Sequence, residues 1–185
     1  EFMEGKKFNS GGMVLERLRH GRKDGRTHRI VWMWEIDNGG FAEELADFEK
    51  EPEAVIVTVK DLQRDAFGDQ PKFSCIVADK EGVIVGMALF YPRYSTWKGP
   101  TLHLEDLIVT QPERGTGVGK ALYTAFIAEG KKQGVERIEW VVLDWNKHAV
   151  ELYKKSGANV LTDWQTVQMH QTAMGRYLAT ENENI

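Results

Sequence analysis

The most informative stretch of the chain lies between a predicted strand and a predicted helix and reads Val109-Thr110-Gln111-Pro112-Glu113-Arg114-Gly115-Thr116-Gly117-Val118-Gly119-Lys120. Glycines at alternate positions allow backbone N–H groups to point into one concavity. The start of the following helix adds unpaired N–H groups and the positive end of the helix dipole. The stretch therefore predicts a cradle for an anion such as a pyrophosphate, with a flexible glycine-rich turn as the alternative.

Two common phosphate-binding motifs do not fit these residues. A Walker loop requires glycine where Arg114 stands, and serine or threonine where Ala121 stands. A dinucleotide-binding fingerprint that begins at Gly115 requires glycine or alanine in place of Lys120, and no βαβ unit is predicted ahead of it. The cradle is therefore neither a Walker nor a Rossmann loop.

Apolar periodicity on both sides of the loop predicts an α+β (mixed α/β) fold. Ahead of the loop, we expect strands at 30–34, 73–78, 83–91 and 101–109, with helices at 41–50 and 60–67. After it, we expect a helix from Val118 that ends before Gly134, a strand at 138–143, a helix capped by Asn146, and a closing strand or hairpin at 160–169.

Composition limits the function classes. The chain has 185 residues, of which 42% are hydrophobic, so it can build a core and is not a wholly disordered protein. A formal net charge of −4 argues against nucleic acid as a partner and is compatible with a cationic small molecule. Residues 1–29 are rich in Lys, Arg and Gly and are expected to form a basic N-terminal arm or a vector-derived segment.

Cysteine and histidine usage argues against several kinds of site. Cys75 is the single cysteine, so the chain has no internal disulfide, and its place in a predicted buried strand indicates an inert core thiol. The five histidines show no helical metal-ligand spacing, so no metal is predicted. Without a membrane-spanning apolar run or a signal-peptide core, we expect no membrane partner and a cytoplasmic protein.

Six ordered motifs share one resemblance. They are Arg114-Gly-x-Gly-Val-Gly-Lys120, Asp65-Ala-Phe-Gly-Asp69, Tyr94-Ser-Thr-Trp-Lys-Gly99, Leu104-Glu-Asp106, Val142-Leu-Asp-Trp-Asn146 and Leu152-Tyr-Lys-Lys-Ser-Gly-Ala158. Their order and spacing resemble the GCN5-related N-acetyltransferase superfamily, and within it the spermidine/spermine (diamine) acetyltransferases and the thialysine acetyltransferases. The resemblance implies a single acetyltransferase domain over residues 30–178, followed by a short tail at 179–185.

The same resemblance implies a central, mostly antiparallel sheet that splays between the strand ending at Val109 and the strand ending at Leu143, with helices on its faces. Acetyl-CoA is the implied cosubstrate. Its binding residues would be Leu107, Ile108 and Val109 for the pantetheine arm, Arg114, Gly115, Thr116, Gly117, Val118, Gly119 and Lys120 for the pyrophosphate, and Asn146 and Tyr153.

The implied chemistry requires a neutral amine, and only roughly one Lys-like amine in 2,500 is neutral at pH 7. Glu105 is the candidate base, because a charge in an otherwise apolar strand is costly unless it is used. Strict alternation would point Glu105 to water, whereas the bulge expected in this family would reset the alternation. Tyr153 is the candidate acid for the departing thiolate, with a packed core tyrosine as the alternative.

The resemblance also places residues around the amine. The expected substrate-side residues are Phe48, Glu49, Trp97, Glu105, Asp106, Glu139 and Trp140. Carboxylates and aromatic rings hold ammonium groups through charge and cation–π contacts. For Phe48 the alternative is helix core, and for Glu49 a solvated helix end.

The substrate is therefore expected to be a thialysine-like amino acid or a di- or polyamine. The motifs at 94–99 and 142–146 look more like the thialysine branch. A homodimer packed through Tyr177 and Leu178 is also implied. The alternative function is a non-catalytic acetyl-CoA-binding regulatory module, and the presence of both Glu105 and Tyr153 favours the enzyme.

Overall fold

The computed structural model describes residues 18–21, 27–32 and 40–182. The chain has two compact units, Glu1–Val141 and Val142–Ile185. In the described part of the first unit, the strands are β1 (Leu18–Gly21), β2 (Thr27–Trp32), β3 (Ser74–Lys80), β4 (Val83–Ser95), β5 (Gly99–Val109) and β6 (Ile138–Trp140). The helices are α1 (Phe41–Glu49), α2 (Val59–Phe67) and α3 (Val118–Gln133), with single 3₁₀ turns at Pro52–Ala54 and Gln111–Glu113.

One mixed sheet forms the centre of this unit. The strands lie in the order β1-β2-β3-β4-β5-β6, and all neighbours are antiparallel except β5 and β6, which are parallel. The β3–β4 connection is a tight hairpin in which both Glu81 and Gly82 have positive φ, the conformation that matches the twist of the flanking strands. The predicted fold class, α+β with a mostly antiparallel sheet, is confirmed.

A bulge at Glu105 changes the direction of the β5 side chains. Leu89 of β4 pairs with Asp106, and the next residue, Phe90, pairs with Leu104, so Glu105 is the extra residue. As a result, Leu104 and Leu107 pack into the same cluster although they are three residues apart. The bulge predicted for this strand is confirmed.

The sheet splays directly after this point. β6 pairs with β5 only from Leu102↔Ile138 to Leu104↔Trp140, whereas β5 continues to Val109. The strand predicted at 138–143 is β6, and it ends at Trp140 and not at Leu143. A bulge bends its strand and increases the local twist, which explains why pairing with β6 stops where the bulge begins.

A helix packs on each face of the sheet. On one face, α3 contributes Leu122 and Phe126 to a cluster with Phe90, whose ring centroid lies 5.3 Å from that of Phe126. On the other face, Phe41 of α1 packs in a cluster that includes Cys75. Burying one such phenylalanine contributes about 1.5–3 kcal/mol relative to leaving it exposed.

The N-terminal segment corrects one prediction. Residues up to Arg29 were expected to form an arm, but Leu18–Gly21 and Thr27–Trp32 are paired strands, with Leu18 opposite Ile30. The charge and glycine content of this segment suggested a tail, because composition alone does not show which segments pair in a sheet. Residues 1–17 and 22–26 of the predicted arm, and residues 33–34 of the predicted first strand, lie outside the described residues.

The second unit contains α4 (Lys147–Lys155) and α5 (Gln171–Asn182). Asn146 caps α4 as predicted, because its Oδ1 accepts a hydrogen bond from the N–H of Ala149 at 3.2 Å. The strand predicted at 160–169 is wrong: this segment has no regular structure, and its side chains from Leu161 onward are exposed. Apolar residues there gave the pattern of a strand, but no neighbouring strand pairs with it in the described part of the chain.

No helix among the described residues is long and apolar enough to cross a membrane. The prediction of a single domain over residues 30–178 stays a prediction.

Candidate active site

The glycine-rich loop adopts a conformation that requires glycine at two positions. Gly115 and Gly117 have φ values of +75° and +94°, and Gly117 is the N-cap of α3. Open space surrounds both Cα atoms, so the backbone angle and not crowding selects glycine there. Thr116 stabilises the turn, because its hydroxyl donates to the carbonyl of Glu113 at 2.6 Å.

This conformation leaves a row of donors unused. Within the described part of the chain, the backbone N–H groups of five loop residues make no hydrogen bond; they belong to Gly115, Gly117, Val118, Gly119 and Lys120. Ala121 is the first residue to donate within the helix pattern, to the carbonyl of Gly117 at 3.0 Å. Unpaired donors at a helix N-terminus suit an anion such as a pyrophosphate, so the loop fits the predicted cosubstrate.

The Arg114 side chain anchors this loop to α1. Its Nε donates to the carbonyl of Val109 at 2.9 Å, and its Nη2 donates to Glu44 Oε1 at 3.0 Å. The guanidinium also lies 5.3 Å from the ring centroid of Phe48. Phe48 is 37% exposed, so it is not helix core; it stacks against Arg114 at the end of α1.

Glu105 lies on the bulge with its side chain 51% exposed. Its Oε2 accepts a hydrogen bond from the Tyr91 hydroxyl at 2.9 Å. Burial, and next this hydrogen bond, raise the pKa of Tyr91 to about 12, so the hydroxyl keeps its proton and remains a donor at neutral pH. Tyr91 thus fixes a carboxylate that stays open to solvent.

Asp106 lies beside Glu105 and is the more buried of the two carboxylates. Burial is the main cause that raises the pKa of Asp106 to about 6, and the charges of Glu105 and Glu49 raise it further. Burial and the charge of Glu105 also raise the pKa of Glu49, at the end of α1. These three residues form what we call the carboxylate cluster, which favours the approach of a cation because it relieves their mutual repulsion.

Two expected substrate-side residues lie elsewhere. Trp140 packs on the α3 side of the sheet, edge-on to Tyr123 at 5.6 Å and to Phe126 at 6.5 Å between ring centroids. Consecutive strand residues point to opposite faces, so Trp140 cannot share the face of Glu139. Trp97 is 78% exposed at the tip of the β4–β5 hairpin. Phe90 lies beside the bulge, and the hairpin closes at Ser95, five strand residues or about 17 Å further along β4. Trp97 is therefore remote from the carboxylate cluster of the same chain.

Glu139 was expected to hold a substrate ammonium, and it is already paired with two arginines. Its Oε1 contacts Arg93 Nη1, and its Oε2 lies 2.9 Å from Arg137 Nε. Two guanidinium groups more than neutralise one carboxylate, so this position offers no free negative charge.

His103 and Tyr91 are absent from the predicted site, yet they line it. The His103 ring lies 5.2 Å from the Tyr91 ring, and its Nε2 lies 3.7 Å from Glu105 Oε2. Its Nδ1 is buried with no hydrogen-bond partner among the described residues. The only sequence signal for His103 was its alternation with Glu105 along the strand. Tyr91 could be placed at the site only from the pairing register of β4 with β5.

The remaining predicted residues lie on β5 and α4. The side chains of Leu107 and Val109 pack against the α3-side core, and Ile108 lies in the α1-side core, so only their backbone is available. In the second unit, Asn146 uses its carbonyl oxygen as the cap of α4, and Tyr153 is buried on the same helix.

Comparison with known proteins identifies a family and several relatives that this chain resembles in sequence. The profile of the acetyltransferase (GNAT) family matches residues 22–158. The thialysine N-epsilon-acetyltransferase of Bos taurus is 35% identical over 142 residues, covering 71% of this chain and 84% of the relative. A human spermidine/spermine N(1)-acetyltransferase-like protein is 33% identical over 122 residues, covering 62% of this chain and 18% of that longer protein.

Solved structures share the fold. An integron cassette protein from Vibrio cholerae superposes with a TM-score of 0.64 at 20% identity, over 90% of this chain and 99% of that one. An aminoglycoside N-acetyltransferase solved with CoA superposes with a TM-score of 0.58 at 16% identity, over 79% of this chain and 97% of that one. The family profile covers most of the chain and its residues include the glycine loop and the carboxylate cluster. The chain therefore belongs to the acetyltransferase (GNAT) family and is an N-acetyltransferase.

Proposed function

We propose that this enzyme transfers the acetyl group of acetyl-CoA to a primary amine of a small cationic substrate, by direct attack in a ternary complex. The observation that carries the proposal is the carboxylate cluster, in which Glu49, Glu105 and Asp106 repel one another beside the splay of the sheet. Such a cluster is stabilised by an incoming ammonium group, and an ammonium is the form in which a small amine arrives at pH 7.

The glycine loop supports the choice of acetyl-CoA. Its five unpaired N–H groups would hold the pyrophosphate, and the backbone of Leu107, Ile108 and Val109 would hold the pantetheine arm. A CoA complex of a protein with the same fold is in line with this assignment. When bound, acetyl-CoA supplies the activated acetyl group; the chain's own residues must prepare the amine.

Glu105 is the proposed base. Its carboxylate is open to solvent on one side and is held on the other by the Tyr91 hydroxyl, so it can receive the proton of the ammonium directly or through water. Asp106 and Glu49 would hold the ammonium in place before the proton leaves. The neutral amine then has its lone pair available to form the new bond to carbon.

Tyr153 is the proposed acid, which would return a proton to the departing thiolate, and Asn146 would bind the cofactor arm. A thiol has a pKa near 8.5, so thiolate departure needs only modest help. Direct attack is favoured over an acetylated cysteine, because burial raises the pKa of Cys75, the chain's one cysteine, to about 12.

For the substrate we favour thialysine-like amino acids over di- and polyamines. Relatives at 35–37% identity are thialysine N-epsilon-acetyltransferases, and they match this chain over a larger share of their length than the spermidine/spermine relative does.

We further propose a homodimer, because Met174, Tyr177 and Leu178 expose apolar surface on α5. Sedimentation at several protein concentrations tests that point. The cytoplasmic location stays a prediction.

The test is a panel of amines with acetyl-CoA, in which release of free CoA is followed with thialysine, lysine, putrescine and spermidine. We expect measurable turnover, and Glu105→Gln should lower kcat/KM by roughly 10²-fold or more because the base is lost. Glu136→Gln is the matched control, since Glu136 is exposed beside β6 and should behave as wild type. Acetyl-CoA binding without turnover of any amine would refute the proposal and support a regulatory module.

A further inference from the structure

Two arginines and one glutamate form a positively charged group on the α1 face of the sheet. Arg93 lies on β4 and Arg137 precedes β6, and both contact the carboxylate of Glu139. Since two positive charges meet one negative charge, the group carries a net charge of about +1. Arg137 keeps Glu139 partly neutralised, and the Arg93 side chain is 56% exposed. A guanidinium has five N–H donors, so one contact with Glu139 leaves others available to a ligand.

This positive group lies on the same face as the carboxylate cluster. Arg93 follows Tyr91 by two residues on β4, so their side chains point the same way. Its charge is close enough to lower the pKa of Tyr91. On β5, the residue opposite Tyr91 is His103, which in turn pairs with Glu139 of β6. Negative charge at Glu105 and positive charge at Arg93 therefore flank the Tyr91–His103 pair.

The strand spacing between Tyr91 and Arg93 is similar to the length of an amino acid with a side-chain amine. Tyr91 marks the Glu105 end through its 2.9 Å hydrogen bond, and Arg93 lies two positions further along β4, or about 7 Å along the strand. In extended thialysine, about six bonds separate the side-chain nitrogen from the carboxyl carbon, roughly 7–8 Å. The buried Nδ1 of His103, which has no partner among the described residues, lies between the two ends.

We propose that Arg93 binds the α-carboxylate of an amino-acid substrate whose side-chain amine lies at Glu105, so that the site selects diamino acids over di- and polyamines. This inference rests on the proposed function and adds the residue that binds the end of the substrate opposite the reacting amine. A guanidinium recognises a carboxylate through paired N–H donors. In the amino acid the α-carboxylate offsets the charge of the α-ammonium, whereas a polyamine would bring an ammonium alone toward Arg93, where like charges repel, so the same residue also disfavours the competing class.

The test compares thialysine with 2,2′-thiobis(ethylamine), the same molecule without its carboxyl group. For the wild type we expect kcat/KM for thialysine to exceed that for the diamine by at least tenfold. Arg93→Gln should raise KM for thialysine at least tenfold with little change in kcat, and should lower KM for the diamine because repulsion is removed. Arg93→Lys keeps the charge but not the paired donors, so its KM for thialysine should be intermediate.

Arg64→Gln is the matched control, because Arg64 is also an exposed arginine paired with carboxylates, and it lies on α2. It should change neither substrate's KM. Equal effects of Arg93→Gln on both substrates, or a wild type that prefers the diamine, would overturn the inference while leaving the acetyltransferase activity intact. Failure of the wild type to acetylate either compound would overturn the proposed function and the inference with it.

Discussion

Gly117 offers the sharpest test of the anion cradle, since its substitution by alanine changes backbone geometry alone. The residue has φ +94° at the N-cap of α3, and a Cβ placed there would meet nothing within 4 Å. Alanine therefore fits in space but is strained in conformation, at a cost of about 1–3 kcal/mol. The chain can relieve that strain by rotating the neighbouring peptides, which turns their N–H groups out of the cradle.

The expected loss of binding follows from the donors affected. A hydrogen bond to a charged group contributes about 1.5–3 kcal/mol, and each 1.4 kcal/mol is tenfold in Kd. Loss of one N–H contact to the pyrophosphate should therefore raise the acetyl-CoA Kd roughly 10- to 100-fold. Titration calorimetry with acetyl-CoA measures this directly, without dependence on the amine.

Gly134→Ala is the matched control. Gly134 has φ +70° at the C-cap of the same helix and is equally open, so alanine imposes similar strain at the end remote from the cradle. Both variants should lose stability by a similar amount, with a fall in Tm of about 2–4 °C per kcal/mol, but only Gly117→Ala should lose affinity. Wild-type affinity in a folded Gly117→Ala protein would refute the cradle, and equal losses in both variants would assign the effect to stability.

Two further predictions concern proton transfer and charge burial. Tyr153→Phe should keep the packing of α4 but lower kcat roughly 10²-fold, and full kcat with chemistry shown to be rate-limiting would leave Tyr153 a structural residue. The pKa of Asp106, about 6 against a usual 3.8, means that the folded state binds its proton more tightly, so the stability of the free enzyme should fall as pH rises from about 4 to 6. Asp106→Asn should remove this fall. Since 6 − 3.8 is about 2 pH units, the variant should gain at most about 3 kcal/mol in the free energy of unfolding at pH 7. Urea unfolding at pH 5 and 7 measures this gain, and a wild-type pH dependence in the variant would contradict the assignment.

Local signals in the sequence predicted the ends of two helices. Gly117 and Gly134 mark the two ends of α3, and Asn146 marks the start of α4, because caps and left-handed positions depend on one or two residues. The family resemblance supplied the bulge at Glu105, which alternation alone would not have indicated.

Features that depend on distant partners were not predicted. Glu139 looked like a free carboxylate because its partners, Arg93 and Arg137, come from another strand and from the turn before its own, and only the sheet brings them together. Trp140 was assigned to the substrate by resemblance, whereas its strand position points it at α3. The segment at 160–169 has strand-like composition, but a strand also needs a neighbour with which to pair.

The most direct test of the proposed activity is to locate the transferred group. The purified chain is incubated with acetyl-CoA labelled in the acetyl group and with thialysine, and both the amine and the intact protein are analysed by mass spectrometry. The proposed function predicts one labelled acetyl group on the side-chain nitrogen of thialysine, one equivalent of free CoA, and no label on the protein. Label on the protein that is then passed to the amine would contradict direct attack, and release of CoA without an acetylated amine would contradict the assigned acetyl transfer.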